Sequence, residues 1–213
     1  MPAGRSALPL TLSQIKPAAA VLARAFYQDP FFTFVIPDGS RRVKILPWLF
    51  GRMLRYGLRY GRVLGTPLLE GVAIWLGPEN PSLRMPGALW SGLFLLPFKL
   101  GCQGLLRSLR LEACAGRLHK TCLTGRHWYL VALGVEPSLQ GQGLGAALLG
   151  PILAQADGDA LVCYLETNNQ KNLSFYQRSG FSVAGHAQAI PGGPYTWGML
   201  RKPALIKCPS PAR

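Results

Sequence analysis

Acidic residues are scarce in this 213-residue sequence. Nine Asp and Glu stand against 23 Lys and Arg, giving a net charge of +14 and a pI near 10.1. Such a surplus suits an anionic ligand, and it suits nucleic acid or an acidic membrane surface equally well, so charge alone does not choose a partner. Charged residues make up only 15% of the chain and apolar residues 49%, which excludes a disordered polyelectrolyte. No C-x-x-C pair occurs among the five cysteines (102, 114, 122, 163 and 208), and the three histidines (119, 127 and 186) are scattered. Clustered zinc ligands are therefore absent and no metal is expected. The odd cysteine count and the lack of a signal peptide lead us to expect reduced thiols and a cytoplasmic protein. There is no long hydrophobic run. The greasiest stretch, Ala88 to Leu100, holds Ser91, Pro97 and Lys99 and is too short for a membrane span. The length fits one domain with a full core.

What the sequence does have is glycine at one place. Trp128 to Val135 is an apolar, strand-like run, followed by the turn Glu136-Pro137-Ser138 and then Gln140-Gly141-Gln142-Gly143-Leu144-Gly145. Beyond it Leu144, Ala147, Leu148 and Ile152 recur at helical spacing. Strand, glycine loop and helix together make an anion site. The first helical turn has free N–H groups, the helix dipole favours negative charge, and glycine lets a phosphate approach the backbone. No Lys follows these glycines, so a Walker loop is excluded. The third glycine comes one place too early for the dinucleotide fingerprint. Pro151 lies inside the following helix and is expected to bend or restart it.

Elsewhere, Leu8 to Leu12 is a short first strand and Ser13 to Tyr27 a helix closed by Asp29-Pro30. Ser40 caps a second, very basic helix over Arg41 to Tyr60, kinked near Pro47 and Gly51. Arg62 to Thr66 and Leu69 to Leu76 form an antiparallel pair, the unbroken apolar run Val72 to Leu76 marking a central strand covered on both faces. Pro86 to Leu118 is helical. A further strand, Ala160 to Leu165, leads to a helix from about Gln170 to Ser179, which Gly180 ends in a left-handed conformation.

Gln140-x-x-Gly143-x-Gly145, then Asn172, Phe175-Tyr176 and Gly180-Phe181, stand in this order and separation. On these residues the chain resembles the GNAT superfamily of acetyl-CoA-dependent N-acetyltransferases. The tail Pro191 to Pro203 is similar to that of the puromycin N-acetyltransferase-like branch. The strong part of the match runs from Gly125 to Pro203.

The resemblance implies an α/β GNAT fold: a mixed, mostly antiparallel sheet of six to seven strands with a central splay, flanked by helices and carrying a helical insert. It implies one domain over 1–213. Residues 8–85 form the acceptor side, 86–124 the insert, 125–203 the acetyl-CoA core and 204–213 a flexible tail. The co-substrate implied is acetyl-CoA. Backbone at Leu133, Gly134 and Val135 would line its pantetheine arm, amides of Gln140, Gly141, Gln142, Gly143, Leu144, Gly145 and Ala146 would hold its pyrophosphate, and Asn172 would reach its amide region. Tyr176 would protonate the leaving thiolate, since a phenol suits that role. Glu166 and His127 are candidate bases, with His119 beside them. Phe26, Phe31, Phe32, Trp48 and Tyr56 are candidate substrate contacts.

The activity expected is acetyl transfer to a primary amine of a small molecule. A protein or peptide acceptor is the alternative within the same chemistry. A non-catalytic acyl-CoA- or RNA-binding module is the alternative outside it. The basic helix is a weak form of a nucleic-acid patch, so nucleic acid is not the expected partner. The greasy insert leaves room for a homodimer, a pocket lid or a membrane contact.

Overall fold

The computed structural model describes residues 6–79 and 92–204. The tail expected from residue 204 and the first part of the insert lie largely outside these. A seven-stranded sheet runs in the order β1-β2-β3-β4-β5-β7-β6. Its strands are β1 (Leu8–Pro9), β2 (Gly61–Gly65), β3 (Gly71–Leu76), β4 (His127–Val135), β5 (Val162–Thr167), β6 (Ser182–Gln188) and β7 (Tyr195–Arg201). Only β4 and β5 pair in parallel; all other neighbours are antiparallel. Every residue of β3 is buried, as its unbroken apolar run predicts for a strand covered on both faces.

Six helices among the described residues flank the sheet: α1 (Ile15–Ala25), α2 (Pro30–Val35), α3 (Gly39–Tyr60), α4 (Leu96–Cys122), α5 (Leu144–Gly158) and α6 (Leu173–Arg178). α1 and α3 pack on β3 and β4 through Leu22, Leu46, Phe50, Leu54 and Ile74. α5 and α6 close the other face through Leu148, Leu149, Ile152 and Tyr176, against Trp75, Leu130, Cys163 and Leu165. Each such fully buried aliphatic side chain contributes roughly 1.5–3 kcal/mol. α4 lies across β6 and β7, where Leu118 sits close above Gly185 and Gly198.

Helix boundaries depart from expectation, among other places, at Asp29 and at Asp38. α1 already ends at Ala25, before the expected stop at Asp29-Pro30, which instead starts α2. The Asp29 side chain accepts from the Phe31 amide at 2.9 Å, and Pro30 takes the first helical position, where its missing N–H costs nothing. α3 is capped by Asp38 and not by Ser40, because the Asp38 carboxylate reaches the amides of both Ser40 (2.7 Å) and Arg41 (3.3 Å). Neither internal proline stops its helix. Pro47 leaves the Val43 carbonyl without its helical donor, and Val43 is exposed. Pro151 is exposed, and α5 continues past it to Gly158. α4 is interrupted at Gly101 (φ +70°, ψ 173°).

The pairing between β4 and β5 stops early. It runs from His127↔Val162 to Leu130↔Leu165. β4 then continues to Val135 beside β3 alone, while Glu166 and Thr167 pair with β7. The register to β3 steps from Ile74↔Ala132 to Trp75↔Leu130, leaving Val131 as a bulged residue at the point of parting. A wedge therefore opens between the two central strands, with the backbone edge of 131–135 facing it.

Candidate active site

At one end of this wedge the chain forms a turn, Pro137–Leu139, and enters α5 through the glycine loop. Gly141 (φ +79°) and Gly143 (φ +84°) are both left-handed, and Gly143 is the N-cap of α5 with no side chain capping it. A residue with Cβ would be strained at both. The first-turn amides are thus left to a ligand, Gly141 to Gly143 are exposed, and the first turn contains no acid. This arrangement fits a pyrophosphate.

The other glycines here serve packing. A Cβ on Gly145 would lie 2.9 Å from the Phe175 ring, and one on Gly134 would meet Leu22 at 2.8 Å and Ala25 at 2.9 Å. Gln140 also has a local structural role, since its side-chain amide donates to the Val135 carbonyl at 3.2 Å and ties the loop to the strand end.

Beneath the wedge lies a cavity of about 440 Å³. Its walls bring together residues far apart in sequence: Phe26, Phe31 and Phe32, the β4 segment Tyr129 to Leu133, Glu166, Asn168, Asn172 and Tyr176, and a stripe of α4 formed by Ser108, Leu111, Glu112 and Ala115. Trp48 and Tyr56, expected as substrate contacts, do not line it. Trp48 packs on the α1–α3 core near Arg52 and Lys99. Tyr56 is 2% exposed and packed against Tyr60. Both lie on stretches of α3 turned away from the wedge.

Tyr176 is 7% exposed and its hydroxyl has no hydrogen-bond partner among the described residues. Burial pushes this phenol well above its ordinary value, and the nearby Asp29 carboxylate adds to the shift. It therefore holds its proton at neutral pH. Asn172 donates from Nδ2 to Thr167 Oγ1 at 3.5 Å. Asn168 is locked to the Tyr195 carbonyl and Thr196 Oγ1.

Glu166 sits just beyond the last β4–β5 pair. Burial raises its carboxyl to about 7 against the pull of neighbouring hydroxyls, and Glu112 raises it further. Tyr129 donates its hydroxyl proton to Oε2 at 2.5 Å. The Tyr164 hydroxyl, buried and outside hydrogen-bonding geometry, also faces it. His119 Nδ1 is 3.7 Å from Glu166 Oε1. His127 does not reach the cavity. It is 3% exposed and hydrogen-bonded to His119 and to the Gly125 carbonyl.

Two site features escape the sequence. Glu112 is one charge in a helix full of charges, and only the i, i+3, i+4 stripe 108–111–112–115 marks the face it occupies. Asp29 has the pattern of a helix stop, yet it faces the cavity. The arginines of the basic helix are partly spent on structure. Arg42 is buried and donates to the Ile36 and Pro37 carbonyls, and Arg41 donates to those of Lys99 and Leu100. Among the described residues no group of three His, Cys, Asp or Glu is placed to hold a metal, and no described helix is long and apolar enough to cross a membrane.

Residues 108–181 match the profile of the Acetyltransferase (GNAT) family. An uncharacterized N-acetyltransferase of Schizosaccharomyces pombe is 28% identical over 178 residues, spanning 78% of this chain and 70% of the relative. A peptidyl-lysine N-acetyltransferase of Salmonella typhimurium is 35% identical over 74 residues, covering 34% of this chain and 48% of the relative. Among solved structures, one described as histone acetyltransferase HPA2 and related acetyltransferase, from Corynebacterium glutamicum, superposes with a TM-score of 0.68 at 26% identity. It covers 95% of this chain and 98% of its own. The splayed seven-stranded sheet with flanking helices is the fold of these acetyltransferases.

Proposed function

We propose that this N-acetyltransferase of the GNAT family moves an acetyl group from acetyl-CoA to a primary amine of a small molecule, with Tyr176 as the general acid and Glu166 as the base. The observation that carries this reading is a single cavity, at the mouth of the β4–β5 wedge, lined by a protonated, partnerless phenol and by a carboxyl poised near neutrality. Acetyl-CoA, when bound, supplies an acyl thioester. The amides of Gly141 to Ala146 would hold its pyrophosphate, and the free edge of β4 at Leu133 to Val135 would line its pantetheine arm, with Asn172 at the inner end.

Within that frame Glu166 takes a proton from the incoming ammonium and frees the nitrogen lone pair. Tyr176 gives its hydroxyl proton to the departing sulfur as the new C–N bond replaces the C–S bond. It recovers a proton from the acylated nitrogen, and Glu166 releases the first proton to solvent, so one proton leaves per turnover. A base near 7 and an acid that keeps its proton are the pairing such a reaction needs at neutral pH. The Pro191–Pro203 resemblance to the puromycin N-acetyltransferase-like branch supports an aminoacyl amine among the acceptors.

Calorimetric titration with acetyl-CoA, followed by a free-thiol assay over alkyl, aryl and aminoacyl amines and lysine peptides, tests this reading. Binding with thiol release on a small amine is expected. Turnover on peptides alone would move the acceptor to proteins. Absence of acetyl-CoA binding would overturn the assignment.

A further inference from the structure

A third of the acidic residues of this molecule line one cavity. Of nine Asp and Glu in the whole sequence, three line the cavity beside Tyr176: Asp29, Glu112 and Glu166. Among the described residues no Lys or Arg lines it, although the chain has 23 of them. Three separate elements deliver these carboxyls: the cap of α2, the middle of α4 and the end of β5. Asp29 is already engaged as a helix cap. Glu112 is not engaged. Its side chain lines the cavity and is exposed, nearby protein atoms raise its carboxyl, and it makes neither a hydrogen bond nor an ion pair among the described residues. It lies close enough to Glu166 and Tyr129 to act on both electrostatically.

Neither Glu112 nor Glu166 has a Lys or Arg beside it in the cavity wall, and the charge of Glu112 is felt at Glu166. Two such carboxylates repel each other unless a cation comes between. A second, independent observation concerns the same space. Tyr176, a side chain more than nine-tenths buried whose hydroxyl has no hydrogen-bond partner among the described residues, lines it. Away from the polar side chains of β5 and the α6 entry, the wall is aromatic and aliphatic, with Phe26, Phe31, Phe32, Leu111 and Met53.

We infer that the acceptor is an alkyl ammonium ion with an apolar body, its charged nitrogen received between Glu112 and Glu166 and its hydrocarbon or aromatic part held by the phenylalanine wall. This rests on the acetyltransferase reading and narrows its substrate. Glu112 binds the cation and Glu166 then accepts its proton, so no co-reactant beyond acetyl-CoA is needed.

The test is calorimetry on the full chain saturated with coenzyme A, using 2-phenylethylammonium and its uncharged counterpart 2-phenylethanol as probes. The ammonium is expected to bind at least tenfold more tightly than the alcohol. Glu112→Gln should cut that preference at least fivefold while leaving alcohol affinity and coenzyme A affinity unchanged. Equal binding of the two probes, no binding of the ammonium, or an E112Q variant with full ammonium affinity would each overturn the inference with the acetyltransferase reading intact. Loss of coenzyme A binding in the wild-type chain would instead remove the reading beneath it.

Discussion

His119 Nε2 lies 2.8 Å from His127 Nε2, and the second contact of each ring fixes which nitrogen bears the hydrogen. His127 Nδ1 is 2.8 Å from the Gly125 carbonyl, which can only accept, so Nδ1 carries the hydrogen and Nε2 its lone pair. His119 Nε2 must then donate, and its bare Nδ1 faces Glu166 Oε1 at 3.7 Å. The pair is held neutral. Burial and the neighbouring His127 lower His119 to about 4, and burial lowers His127.

A pH dependence of stability follows. A histidine whose pKa is lowered by folding stabilises the fold above its unfolded value, near 6.5, and that contribution is lost as pH falls through the folded value. His119→Asn is therefore expected to flatten the fall in melting temperature between pH 6.5 and 4 relative to the wild type. Parallel curves across that range would mean that His119 titrates no differently in the folded and unfolded chains.

Glu166 has the opposite sign. Its carboxyl is raised to about 7, so its contribution to stability is present below the unfolded value and is lost as pH rises through 7. The groups facing it are Tyr129, Tyr164, His119 and Glu112. As a base it must be ionised, so kcat/KM should climb with pH and level off above about 7. Glu166→Gln should lower kcat/KM about 100-fold, abolish the climb and raise melting temperature at pH 8. A profile unchanged in the variant would remove Glu166 from the reaction.

Tyr176→Phe deletes one oxygen from a buried, partnerless position, so packing should survive. The expected result is a fall in kcat of about 100-fold or more with acetyl-CoA affinity unchanged by calorimetry. Undiminished turnover would show that the sulfur finds its proton elsewhere.

Gly143→Asp puts a side chain and a like charge into the cradle at a left-handed position. Repulsion of this kind costs several kcal/mol, so acetyl-CoA affinity should drop by about 100-fold or more. Normal affinity would mean that the loop is only a turn.

Gly134→Val tests a glycine of the cofactor strand whose contacts are with α1. Its added carbons would press on Leu22 and Ala25, an overpacking that costs about 1–3 kcal/mol. A melting temperature lower by several degrees is expected. An unchanged one would mean that α1 shifts away freely.

The glycine loop, the α5 periodicity and the Asn172, Tyr176 and Gly180 helix are local patterns. Spacing and backbone chemistry act within a few residues, so the sequence alone determined the strand–loop–helix cradle, the central strand β3 and the position of Tyr176. Trp48 and Tyr56 show where that legibility ends. An aromatic on an amphipathic helix carries no mark of whether its stripe meets a cavity or a core, and here both meet the core. Glu112 shows the converse, an exposed charge on a helix that also lines the cavity, because α4 crosses over β6 and β7. The bulge at Val131, the parting of β4 from β5, and the meeting of Asp29, Glu112 and Glu166 over a separation of more than a hundred residues were decided only by the tertiary structure. They depend on sheet register and on how helices cover it, which no single stretch of sequence encodes.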